Sequence, residues 1–421
     1  MTTHSQHGDH HFISYSFPFL FLGLFLFLIV QGCLILLLPA LINGSSLQSP
    51  VILGGIHLFI LGFATTIAMG AMIQLVPVAL QTKLISYKLI PYHFAIYLIG
   101  FGGLIVSFES FQLILLIAFG CLTLIGLMLF EINLLPAVLK AAPSPLKWGI
   151  CSALLYLLLT VILGVTMLID FKHSFLGIYH EKLFAVHVLF GLLGWFTLLI
   201  ISFSYKLLPM FSLSHNYESK WAGLSIYFIN LGILVLTLGF LFTNVFTKGL
   251  GGLVILFGLF SYAKQLSLIL KKRLRKKLDV GVKSSLYAWP FTLLSSALGY
   301  GLSLMLHKAF PMGVFMYSAI MGWIGLVILG YLHKIIPFLW WTFKYSSDIG
   351  QRKVPALGDL ISEKWGGVWI IGVYLFTLFN ILFLSVGAKW CLTLSQGVIF
   401  FISLLYVSHL MKSVFYKPMR Q

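Results

Sequence analysis

Two histidines of this 421-residue chain, His57 and His187, fall deep inside apolar runs. An ionisable side chain in such a run is costly, and function is its default explanation. Each run ends in a proline: His57 lies twenty residues before Pro77, and His187 twenty-two before Pro209. At a helical rise of about 1.5 Å per residue, the two imidazoles stand within about one turn of each other in depth. Imidazole with a neutral nitrogen lone pair serves there as a haem axial ligand or a copper ligand. The plain alternative is a histidine hydrogen-bonded across helices, as polar residues in bundles often are. Spacing leaves both readings open.

A third run ends at Pro337 and offers Met316, Tyr317 and Met321 at the same depth, Tyr317 lying twenty residues before the proline. A thioether can be the sixth ligand of a low-spin haem, and flexible methionine also fills gaps in packing. His333 lies four residues before Pro337, which sets it about 24 Å from the level of His57 along the axis; it reads as an anchor at the cytoplasmic end. His93 and His409 also fall near cytoplasmic ends, while His173, His180 and His307 belong to external loops. His180 precedes His187 by two turns and is placed to guard an access route. The N-terminal tract holds His4, His7, His10 and His11, a composition that collects copper, zinc, nickel or iron or simply forms a polar tail. Glu131, alone in an apolar run, reads either as part of a proton route or as a group reaching for the headgroups. Cys33, Cys121, Cys151 and Cys391 are isolated and form no CxxC, so no thiolate metal site or disulfide framework is implied.

The elements that carry these residues are membrane spans. The chain is 60% hydrophobic and 9% charged, whereas soluble domains carry roughly a quarter charged residues. A span needs ~20 mostly apolar residues. Such runs occupy 16–42, 52–76, 90–108, 112–135, 148–169, 183–207, 221–244, 250–270, 286–306, 314–336, 367–386 and 390–410. This predicts an all-α integral membrane protein of about twelve transmembrane helices over 16–412, with a His-rich cytoplasmic tail (1–15) and a basic one (413–421). With residue 1 cytoplasmic, only Lys172, Lys182, Lys248, Lys308 and Lys389 of the 27 Lys and Arg fall outside, leaving 22 on the cytoplasmic side. That is the positive-inside signature, anchored by the run Lys271 to Lys277. The net charge of +17 is therefore directed at topology and anionic lipid, not at nucleic acid. The expected setting is a bacterial cytoplasmic membrane, with both termini cytoplasmic. The first fifteen residues lack the basic region of a cleavable signal, so the first span is expected to stay.

A repeat of four helices runs through the chain. Gly62-Phe63, Gly194-Trp195 and Gly322-Trp323 each stand fifteen positions from Gly to the terminal proline of spans two, six and ten. Glu218 to Gly223 and Ser362 to Gly367, opening spans seven and eleven, echo each other, as do Phe17-Pro18-Phe19 and Trp289-Pro290-Phe291. The repeats cover about 16–140, 147–278 and 285–412. Three fours disfavour the six-plus-six plan of many twelve-span transporters.

Three groups of four helices, with Ala185-Val186-His187 leading through Gly194-Trp195 to Lys206-Leu207-Leu208-Pro209, resemble the haem-copper oxidase subunit I superfamily. That superfamily includes the nitric oxide reductases, and the likeness extends to the NnrS-type haem- and copper-containing proteins of nitrosative stress. The resemblance implies that His57 ligates a haem b and that His187 ligates copper or non-haem iron. It also implies departures. Span seven has no His where oxidases place a pair, and span ten has Met316, Tyr317 and Met321 where oxidases place closely spaced histidines. A complete proton-pumping oxygen reductase is not expected. A divergent haem-binding member acting in respiration, nitric oxide handling or haem and copper supply is expected, possible as a nitric oxide or oxygen reductase-like oxidoreductase. Two other readings stay open: a transporter or channel for metal ions or small solutes, and an assembly partner of an oxidase or of the respiratory chain.

Overall fold

The structure, a computed structural model, describes residues 13–307 and 311–416. The histidine tract His4 to His11 lies outside the described residues. The described residues form twelve long helices: α1 (Ser14–Ile42), α2 (Pro50–Leu80), α3 (Leu89–Ser110), α4 (Leu113–Lys140), α5 (Pro145–His173), α6 (Tyr179–Ser212), α7 (Lys220–Leu241), α8 (Val245–Lys271), α9 (Val280–Met305), α10 (Pro311–Asp348), α11 (Glu363–Val386) and α12 (Lys389–Phe415). Among the described residues there is no strand, only an isolated bridge between Ser214 and Arg273. Each expected span is found as a helix, and most of these helices extend a few residues further than the apolar run. Eleven are long and apolar enough to cross a membrane. The exception is α9, which is 26 residues long but carries five serines and Lys283.

Local chemistry ends the helices where the pattern does. Ser144 and Asn244 cap α5 and α8 by accepting from Lys147 N (3.2 Å) and Thr247 N (2.9 Å). Phe111, Ser174, Leu213 and Gly387 close α3, α5, α6 and α11 in the left-handed region, at φ of 47°, 51°, 54° and 72°.

The repeat reappears as backbone geometry. In α2, α6 and α10 the helix widens into a π-helical stretch of eight residues: Leu58–Thr65, Phe190–Thr197 and Ser318–Gly325. Each begins nineteen residues before its proline and contains its Gly-aromatic pair. Such stretches are rare and are often found at functional sites. In α2 and α6 a threonine hydroxyl reaches back five residues: Thr66 Oγ1 donates to Leu61 O (3.0 Å) and Thr197 Oγ1 to Leu192 O (2.8 Å). The glycine of the pair admits the preceding helix. A Cβ on Gly194 would lie 2.5 Å from Tyr156 Cβ of α5, and one on Gly322 3.1 Å from Thr292 Oγ1 of α9.

Contacts divide the helices into two compact units. One, Leu75–Leu278, holds the end of α2 and all of α3 to α8. Within it α3 and α4 meet almost backbone to backbone, since a Cβ on Gly126 would lie 2.6 Å from Tyr97 Cα. The other takes the residues up to Gln74 and from Asp279 onward, and so holds α1, most of α2 and α9 to α12. Within it Gly281 and Gly330 let α9 and α10 touch, where Ser285 Oγ donates to Gly281 O (3.1 Å) and Val327 O (3.2 Å).

Candidate functional site

In the unit Leu75–Leu278, His187 projects from α6 onto α5. Its Nδ1 lies 2.8 Å from Thr160 O, and the ring is partly buried. Gly164, one turn further along α5, leaves room for it: a Cβ there would lie 3.2 Å from His187 Cε1. Thr160 Oγ1 donates to Tyr156 O (2.6 Å), so the segment that supplies the carbonyl is itself tied into α5.

In the other unit, His57 precedes the π stretch of α2 directly. Its Nδ1 lies 2.8 Å from Leu53 O, the carbonyl one turn back on the same helix. A carbonyl only accepts, so in both histidines Nδ1 carries a proton, and the neutral ring has its lone pair on Nε2. This tautomer, held by a carbonyl, is how proteins commonly orient a metal-ligating imidazole. The two rings reach the same electronic state by different routes, one within its helix and one across a helix pair.

Met316, Tyr317 and Met321 all line an apolar cavity of about 60 Å³ walled by α1, α2 and α10. Ile52, Gly55, Ile56 and Phe59 line it from α2; His57 is not among its lining residues. A space of that size has room for a few water-sized molecules, not for a porphyrin. The donor chemistry of His57 thus fits a haem axial ligand, while the cavity beside the α10 trio does not fit the haem itself.

Behind that cavity runs a feature that periodicity did not disclose. Asn380 Nδ2 donates to Tyr317 OH (2.9 Å) and to Gln396 Oε1 (2.7 Å). Gln396 Nε2 donates to Gln31 Oε1 (2.9 Å) and Gln31 O (3.0 Å), and Gln31 Nε2 approaches Met321 Sδ at 3.6 Å. The three amides are fully buried and link α1, α10, α11 and α12. Their only sequence signal was that each is a lone amide in an apolar run.

The remaining candidates fall apart from these groups. His333 stacks on His409 (ring centroids 5.9 Å apart) near the ion pair of Lys334 with Asp279, in the C-terminal part of α10. Glu131 is buried in α4, with no hydrogen-bond partner for Oε1 among the described residues. All four cysteines are free thiols. Among the described residues no three or more His, Cys, Asp or Glu group as a metal site. No protein-family model matches the chain, and no curated protein matches it. What stands is an integral membrane protein with many apolar helices in a lipid bilayer, carrying two oriented imidazoles.

Proposed function

We propose that the chain is a divergent haem-binding membrane protein of haem-copper oxidase subunit I type. His57 is the axial ligand of a b-type haem, and His187 is a ligand of copper or non-haem iron. The protein sits in a bacterial cytoplasmic membrane with both termini inside, and works in respiration, nitric oxide handling or haem and copper supply. One observation carries this reading. Both intramembrane histidines, borne on helices with π stretches at one repeat position, are locked by carbonyls at 2.8 Å in the tautomer that presents Nε2. A histidine serving only to join helices has no need of that restraint on both chains of contact.

A haem there would supply one-electron chemistry and a coordination position for a diatomic ligand. The chain's own share is to orient each imidazole through the carbonyl that holds its Nδ1. The helix 7 and helix 10 ligand sets of an oxidase are missing, so a binuclear oxygen-reducing centre is not part of the proposal. An absorption spectrum with metal analysis of purified protein from a haem-replete host is the test. A Soret band is expected, abolished or shifted in His57→Ala and retained in His187→Ala. A colourless wild type would sink the haem reading.

A further inference from the structure

The α5–α6 pair carries more chemistry than His187. Seven residues before it, and therefore on the same face of α6 about 10.5 Å outward, His180 is held in the same manner. Its Nδ1 lies 2.7 Å from Asp170 Oδ2 of α5, and its ring packs on Phe171 at 4.9 Å. Asp170 is buried, its side chain 7% exposed, and its other oxygen accepts from Leu176 N at 2.6 Å. The His180 side chain is 18% exposed, so this imidazole stands at the outer mouth of the seam. A carboxylate on Nδ1 fixes the ring and makes Nε2 a better donor.

Between the two histidines α5 offers one more donor, Met167. Thr160, Gly164 and Asp170 mark the face of α5 that meets α6. Val165 and Leu168 mark the face that meets Gly120 of α4. At about 100° per residue, Met167 falls on the α6 side, between Gly164 and Asp170. It is 6% exposed, one turn outward from the glycine beside His187. The row from the outside inward is therefore imidazole, thioether, imidazole. A thioether carries no proton, so this row is no proton relay. It is the donor set that soft d¹⁰ cations prefer, and an unbranched methionine can swing between two partners.

We propose that the α5–α6 seam is a loading path for a soft monovalent transition-metal cation, Cu(I) in kind, that is captured by His180, passed by Met167 and delivered to His187. The transfer is ligand exchange alone: the ion stays at +1 and no electron moves. The path rests on the reading of His187 as a metal ligand, and its test separates the two.

The probe is Ag(I), a redox-inert stand-in, added under a competing chelator to the full chain in lipid nanodiscs. Uptake is followed in time, and the ligands of the bound ion are read by X-ray absorption. Wild type should bind the ion with one sulfur and nitrogen donors. Met167→Leu, a volume-conserving change, should lose the sulfur and load on the order of ten times more slowly, the effect expected of supporting metal-site residues. His180→Asn and Asp170→Asn should also slow loading without lowering the final amount. If Met167→Leu and His180→Asn load at the wild-type rate with an unchanged spectrum, while His187→Asn binds nothing, the path is wrong and the His187 site stands. If His187→Asn keeps the wild-type ion, the His187 reading falls and the path with it.

Discussion

At the scale of single residues, counting gives distance along a helix and not direction. A helix rises by a fixed amount per residue, so Pro77 and Pro209 fix how far along their own helices His57 and His187 stand. Which carbonyl each ring would find depended on the neighbour: Leu53 of its own helix for His57, Thr160 of α5 for His187. The buried amides show the same limit. Gln31, Asn380 and Gln396 sit on three different helices, and nothing in any one helix announces that they meet. Their joint effect can be measured. Gln396→Leu keeps the volume but strips Gln31 and Asn380 of hydrogen-bond partners at fully buried positions. Leaving such groups unpaired costs about 1–3 kcal/mol each, so the thermal midpoint in detergent should fall clearly. Adding Gln31→Leu to that variant should cost much less than the sum of the two single changes, because the second removes an already stranded group. Additive losses would mean that the chain of amides is not a unit.

At the scale of elements, the sequence pattern located the helices within a few residues but could not show their π stretches. A helix that is apolar on all sides has no hydrophobic stripe, and without a stripe a local change of winding leaves no trace in the pattern. What could be read was the bracket around each stretch, the Gly-aromatic pair and the proline fifteen positions apart. The geometry explains why that offset is kept. Widening occupies the same eight positions in α2, α6 and α10, and sets the angle between the outer part of each helix, with its donors, and the inner part that packs to the proline. Deleting Leu193 from the stretch in α6 should let the bonding revert to the ordinary α pattern and turn the outer part by about 100°. His187 would then leave Thr160 O. The variant is expected to insert into the membrane with unchanged helix content by circular dichroism, yet to lose the metal that the proposed His187 site takes up. Retention of that metal would show that the π stretch does not aim the histidine.

At the scale of the whole molecule, the open matter is whether the chain crosses the membrane eleven or twelve times, and α9 decides it. Its 26 residues span about 39 Å, more than the ~30 Å of hydrocarbon. Its weak apolar character comes from serines, two of which bond to neighbouring helices: Ser285 Oγ donates to Val327 O of α10 (3.2 Å), and Ser284 Oγ to Tyr374 OH of α11 (3.4 Å). These two hydroxyls are satisfied within the bundle and do not require water. Charge points the same way. After α9 the chain carries Lys334, Lys344, Arg352, Lys353, Lys364, Lys412, Lys417 and Arg420 on one side and only Lys308 and Lys389 on the other. If α9 crosses, the larger group joins Lys271 to Lys277 in the cytoplasm; if it does not, the larger group faces outward, against the positive-inside rule. In a background without native cysteines, an impermeant maleimide applied to intact cells should label His173→Cys. It should reach Lys276→Cys and Gln351→Cys, all three exposed positions, only after the membrane is opened. Labelling of Gln351→Cys in intact cells would leave α9 on one side and reduce the count to eleven.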